Sequence, residues 1–148
     1  RHDYILAAAG SLLLTFAVIW FMNRTKTGVA IKATSMNKTA AQLMGINTNR
    51  IFAITFGLSG ACVGAAAALM STFTPIYPDA CALYSTLAFV IVALGGFGNI
   101  KGALYAGLLI GVAEAVGGYL IGTSFKYLVV FVIYLVAIQI RPKGLFGW

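Results

Sequence analysis

The run IFAITFGLSGACVGAAAALMSTF, Ile51–Phe73, carries no charge over 23 residues. Coiled as an α-helix it reaches about 35 Å, enough to cross the roughly 30 Å hydrocarbon core of a bilayer with some tilt. A soluble amphipathic helix would show a polar stripe. This run shows small residues instead: Gly57, Gly60, Gly64, Ala67 and Ser71 recur at helical spacing. Toward the N-terminus lies a basic stretch of 28 residues, Asn23–Arg50, preceded by a second charge-free run of 19 residues, Tyr4–Met22. Toward the C-terminus, Pro75 and Pro78 bracket a turn that cannot be regular helix. Three more apolar stretches follow: Cys81–Leu94, Ala103–Ile121 and Thr123–Ile140. The first of these is short and runs into Gly95-Gly96-Phe97-Gly98, as a broken or re-entrant element would. The pattern predicts an all-α membrane protein. It has about five transmembrane helices, a helical loop between the first two, and one short or broken Gly-rich span. Neither a repeat nor a linker divides residues 1–148.

Composition agrees. Hydrophobic residues make up 61% and charged residues 9%, against about 25% charged in soluble domains, and mean hydropathy is +0.95. Only Asp3, Asp79, Glu114 and His2 offer acid–base chemistry, and Cys62 and Cys81 form no metal or disulfide pattern. The net charge of +7 reads as basic loops flanking membrane spans, not as a nucleic-acid surface. The first apolar run is too long for a cleaved signal peptide, and the chain reads as a piece of something longer.

Lysine and arginine placement sets the expected orientation. Arg24, Lys26, Lys32, Lys38 and Arg50 put the long loop in the cytoplasm. Alternation then puts Lys101, Arg141 and Lys143 inside, and only Arg1 and Lys126 outside. Residue 1 is thus expected outside and the C-terminus cytoplasmic.

The long loop exceeds what a connection needs. Ala30, Ile31, Ala33 and Thr34, then Ala40, Ala41, Leu43 and Met44, suggest two short helices, with Asn37 or Thr39 capping the second and Gly45 ending it. Its small-residue surface, Ala40–Gly45, suits either a protein partner or anionic lipid. The glycine stripe on Ile51–Phe73 and its counterpart Gly107, Gly111, Glu114 and Gly118 suit close helix packing. Glu114 must face protein or water, beside a permeation path, in a packed interface or near a membrane surface. Gly95, Gly96 and Gly98 either open backbone onto a cavity or make a tight helix hairpin; they are no phosphate loop, since Lys101 is followed by glycine. Arg141-Pro142-Lys143 stops the last span, its cations suiting a helix C-terminus and lipid phosphates.

Together these segments resemble branched-chain amino-acid ABC permeases of the LivH/LivM kind. Thr27-Gly28-Val29-Ala30-Ile31-Lys32-Ala33-Thr34 with Asn37, Ala41 and Gly45-Ile46-Asn47 is similar to that family's cytoplasmic coupling segment. Leu94–Ala103 resembles its glycine-rich signature, Gly111–Glu114 the stretch after it, and Arg141-Pro142-Lys143-Gly144-Leu145 its C-terminal ending. Val29 stands where the family often carries a basic residue. The resemblance covers nearly everything from Thr25 onward, corresponds to about the C-terminal half of a LivH-like subunit, and implies the rest. It implies ATPase coupling through Gly28, Lys32, Asn37, Ala41, Gly45, Ile46 and Asn47, and a translocation path that includes Gly95, Gly96, Gly98 and Glu114. It implies a second permease subunit, two cytoplasmic ATP-binding subunits and an external substrate-binding protein as partners, in a bacterial inner membrane. No cofactor would be bound by this chain; ATP would be used by the partners, and nucleic acid plays no part. A urea or short-chain amide importer is the alternative within the class. An intramembrane enzyme would need acids or histidines inside spans, where His2, Asp3 and Asp79 do not lie. An ATP-independent transporter or channel would have no use for the long loop.

Overall fold

The computed structural model describes residues 2–147. Arg1, one of the two basic residues expected outside, lies outside the described residues. Among the described residues seven helices follow one another: α1 (His2–Arg24), α2 (Lys26–Met36), α3 (Lys38–Leu43), α4 (Thr48–Ser71), α5 (Ala80–Gly95), α6 (Ile100–Leu120) and α7 (Lys126–Ile140). There is no strand among the described residues. Internal contacts divide the chain into two compact units, Arg1–Ile76 and Tyr77–Trp148.

Three helices, α1, α4 and α6, are long and apolar enough to cross a membrane, and α5 and α7 are shorter apolar helices. At 16 and 15 residues these two extend only about 24 and 22 Å. The Thr123–Ile140 stretch yields the shorter α7 because Gly122 takes φ +106° and the Phe125 amide donates to the Gly122 carbonyl at 3.1 Å. That turn uses residues which the hydropathy pattern assigns to the span.

In the first unit α1 and α4 run antiparallel. The Tyr4 and Phe73 rings meet with centroids 5.0 Å apart, and Gly10 admits the Leu69 side chain. At the other end of this pair α2 and α3 form an elbow whose buried residues include Ile31, Thr34 and Ala41, beside Met22, Thr48 and Ile51. Most of the apolar surface of α1 and α4 stays uncovered within the unit. Their hydroxyls turn back onto the helix, as Thr15 does on Ser11 and Thr55 on Ile51. This satisfies polar atoms on surfaces where hydrocarbon offers no partner.

In the second unit α6 packs on both α5 and α7. Val90, Leu94, Ala106, Ile110, Val130 and Ala137 form its core, with Leu87, Ile91, Tyr134 and Leu145 against it. Gly117 lets α7 approach closely, since a Cβ there would lie 3.1 Å from Val129.

Candidate functional site

The elbow of the first unit is held by its own backbone chemistry. Thr25 Oγ1 accepts from the Gly28 amide at 3.3 Å and starts α2. Gly28 is buried against the end of α1: a Cβ would lie 2.5 Å from Met22 Cα and 2.6 Å from the Phe21 carbonyl oxygen. Only glycine fits there without moving backbone. Lys32 Nζ donates to Asn23 Oδ1, tying α2 to the end of α1 a second time. Asn37 ends α2 and caps α3, its Oδ1 accepting from the Ala40 amide at 3.1 Å. Of the two caps the sequence allowed, Asn37 is the one used.

Helix α3 ends in a Schellman turn. Gly45 takes φ +84°, its amide donates to the Gln42 carbonyl at 3.0 Å, and the Ile46 amide donates to Ala41 at 3.1 Å. Asn47 then caps α4 through the Arg50 amide, and Gln42 Nε2 donates to Thr48 Oγ1 at 3.0 Å. Ala41, Gly45, Ile46 and Asn47 are therefore brought together, while Gly28 and Lys32 seat α2 on α1. Of these residues Gly28 and Ala41 are buried in the elbow, Ala41 only 4% exposed, whereas Asn37, Gly45 and Asn47 are exposed.

The outward surface is made by Met36, Leu43 and Met44, exposed at 87%, 84% and 84%. Leu43 and Met44 lie in the small-residue stretch singled out from sequence. Met36 was missed there; its signal is an apolar residue in the last helical position before the Asn37 cap. Lys26, Lys38 and Arg50 are exposed in the same segment.

The glycine run of the second unit builds a tight hairpin between α5 and α6. Gly96 and Gly98 take φ +88° and +85°. Gly95 and Gly102 bring the two backbones together: a Cβ on Gly95 would sit 2.6 Å from Ala103 Cα, and one on Gly102 would strike the Gly95 carbonyl. Asn99 caps α6 through the Gly102 amide at 3.1 Å. Its Nδ2 reaches the Phe146 carbonyl, also at 3.1 Å. The residues after α7 fold back here. The Leu145 amide donates to the Leu94 carbonyl at 2.7 Å, and Phe146 meets Tyr105 with ring centroids 5.6 Å apart. Arg141-Pro142-Lys143 is thus more than a stop: it leads into a clasp over the glycine turn. Gly95 and Gly96 face their own chain's backbone, while nothing lies within 4 Å of a Cβ on Gly98.

Glu114 is not alone. Lys126 Nζ lies 3.0 Å from its Oε1, with both side chains a little under one third exposed. The available signal was two opposite charges on either side of the Gly122 turn. Among the described residues no three His, Cys, Asp or Glu side chains group to hold a metal ion.

A family profile described as branched-chain amino acid transport system / permease component matches residues 4–138. The high-affinity branched-chain amino acid transport system permease protein BraD of Pseudomonas aeruginosa is 35% identical over 144 residues, 97% of this chain and 47% of that protein. The corresponding permease LivH of Escherichia coli K12 is 31% identical over 138 residues, 93% of this chain and 45% of that protein. The fructose import permease FrcC of Rhizobium meliloti is 29% identical over 139 residues, 87% of this chain and 38% of that protein. The chain spans about half the length of the curated relatives BraD and LivH. No solved structure matches it significantly. A multi-pass set of apolar helices, a capped elbow between two of them, and a profile match across nearly the whole length lead to one assignment: the chain belongs to the family of branched-chain amino acid transport system permease components.

Proposed function

We propose that this chain is part of a permease subunit of an ATP-driven importer of branched-chain amino acids in a bacterial inner membrane. It catalyses no bond change. ATP is hydrolysed on two cytoplasmic partner subunits, while a second permease subunit completes the membrane part and an external binding protein delivers substrate. Residue 1 faces outside and the C-terminus the cytoplasm, following the bias of lysine and arginine toward the loops that hold Arg24–Arg50, Lys101 and Arg141–Lys143.

The observation that carries this reading is the elbow. Two asparagine caps and a Schellman turn hold a short helix rigidly and leave Met36, Leu43 and Met44 bare. An apolar knob on a basic loop is costly in water and suits a protein groove. Gly28, Lys32, Asn37, Ala41, Gly45, Ile46 and Asn47 act by fixing that knob to α1 and α4, so a movement imposed on it reaches the spans. For the translocation path, Gly98 and Glu114 remain the candidates with open space or partial exposure, whereas Gly95 and Gly96 support the path from behind. The match to a fructose import permease favours a second reading within the class, a sugar importer with the same coupling.

The test is a Leu43→Cys variant of the complete subunit in native membranes, treated with a short thiol crosslinker. A crosslinked ATP-binding protein is expected. No product, with the thiol labelling freely from the cytoplasm, returns the loop to lipid or solvent and promotes an ATP-independent transporter.

A further inference from the structure

We propose that Glu114 and Lys126 form a docking site for the head group of an α-amino acid, Glu114 taking the ammonium and Lys126 the carboxylate. The inference rests on the amino-acid importer reading and names the residues that would recognise the zwitterion.

Packing does not need the pair. Helix α7 is already seated on α6 by Gly117 against Val129 and by a core built from Ala106, Ile110, Val130 and Ala137. Two apolar side chains of similar volume would join the helices without desolvating charge. Charges kept in an apolar helix pair call for another use.

The pair is also accessible. Neither partner is sealed: the side chains are 29% and 28% exposed while only 3.0 Å apart. Lys126 Nζ also lies 4.8 Å above the Tyr127 ring, which gives the ammonium a resting contact if it swings from Glu114. Beside Glu114, one turn earlier on α6, nothing lies within 4 Å of a Cβ on Gly111. On α6 the surface beside Glu114 is therefore open at Gly111.

The charges of the pair match those of the ligand. An amino acid carries an ammonium and a carboxylate on one carbon, and the pair offers their complements at the same short separation. Insertion of the zwitterion exchanges one ion pair for two charge-assisted contacts, with no net charge brought into the apolar region. A substrate with only one of the two groups would leave Glu114 or Lys126 unpaired. On the proposed topology this end of α6 and α7 faces outside, where substrate arrives.

The experiment uses the complete importer with its binding protein in proteoliposomes, read by uptake of radiolabelled leucine. Basal ATP hydrolysis reports assembly. Glu114→Gln and Lys126→Met are each expected to lower uptake at least tenfold, and Lys126→Arg to keep it. The exchange variant Glu114→Lys with Lys126→Glu restores the ion pair in reversed order, so it carries the test if the single variants assemble poorly. Expected is an assembled but inactive exchange variant. Recovered uptake there, or uptake within twofold of the unaltered protein in Glu114→Gln, overturns the proposal and leaves the pair a helix clasp. Leucine uptake absent from the unaltered importer would instead sink the amino-acid reading on which the proposal rests.

Discussion

Gly28→Ala adds a single methyl group at the point where α2 meets α1. An ideal Cβ there lies 2.5 Å from Met22 Cα and 2.6 Å from both the Met22 and Phe21 carbonyl oxygens, against 3.4–4 Å for ordinary contact. All three neighbours are backbone, so no side chain can rotate away, and α2 must lift by nearly an ångström. Overpacking costs about 1–3 kcal/mol, and with three backbone neighbours that cannot rotate away the upper part, about 2–3 kcal/mol, applies. Alanine in a helix recovers up to about 1 kcal/mol over glycine, leaving a net cost of about 1–2 kcal/mol confined to the elbow. That is a roughly 5–30-fold increase in the population with α2 unseated. Tryptic cleavage after Lys26 or Lys32 reads it directly in membrane vesicles of the complete subunit, because cleavage follows the open population when reclosing is fast. A 5–30-fold faster cut is expected for Gly28→Ala. Gly57→Ala, where nothing lies within 4 Å of the added atom, should leave the rate unchanged. Equal rates for Gly28→Ala and the unaltered subunit would refute the claim that α2 is seated on α1 backbone.

Gly45→Val meets no neighbour but cannot comfortably hold φ +84°, a cost of about 1–2 kcal/mol or more for a β-branched residue. It should break the Schellman turn and lower substrate-stimulated ATP hydrolysis while membrane insertion stays normal; an unchanged stimulation ratio would refute this role for the turn. Asn99→Ala removes both the α6 cap and the contact to Phe146, worth about 1 kcal/mol for the cap alone. It should expose the bond after Lys143 to trypsin. Gly144→Ala should do so more strongly, since its Cβ would meet the Ala93 carbonyl oxygen at 2.7 Å with φ at +90°. Protection equal to the unaltered protein in both would show that the clasp does not hold the hairpin.

Hydropathy was enough to read the long spans because lipid excludes charge from every exposed position of α1 and α4, and a run such as Ile51–Phe73 carries none. Caps were nearly as legible. Asn37 ends one helix and starts the next with its own side chain, and that local competence is visible in the residue type. The start of α7 was not legible, because Thr123, Ser124 and Phe125 are neutral enough for a span. What removes them from the helix is the backbone of Gly122, not their polarity. Pairing between elements was hidden for a related reason. Glu114 and Lys126 are twelve positions apart, and only the turn between α6 and α7 brings them within 3.0 Å.

The glycines carry the same lesson further. The sequence reads Gly57, Gly60, Gly64 and Gly111 as packing residues and Gly95 as opening a cavity or making a tight hairpin, and it does not single out Gly117. Within their units the glycines differ: a Cβ on Gly95, Gly102 or Gly117 meets atoms at 3.1 Å or closer, while nothing stands within 4 Å of one on Gly57, Gly60, Gly64 or Gly111. Spacing alone cannot separate them, since close approach depends on what the facing element presents. It follows that Gly28, Gly95 and Gly102 are among the positions where replacing glycine must move backbone. Gly45, Gly98 and Gly122 are positions where it strains only a dihedral angle. The elbow and the glycine hairpin each combine both kinds, one glycine to admit a neighbour and another to turn the chain. That combination is what the proposed coupling requires, a displacement of the loop being passed into the helices it joins.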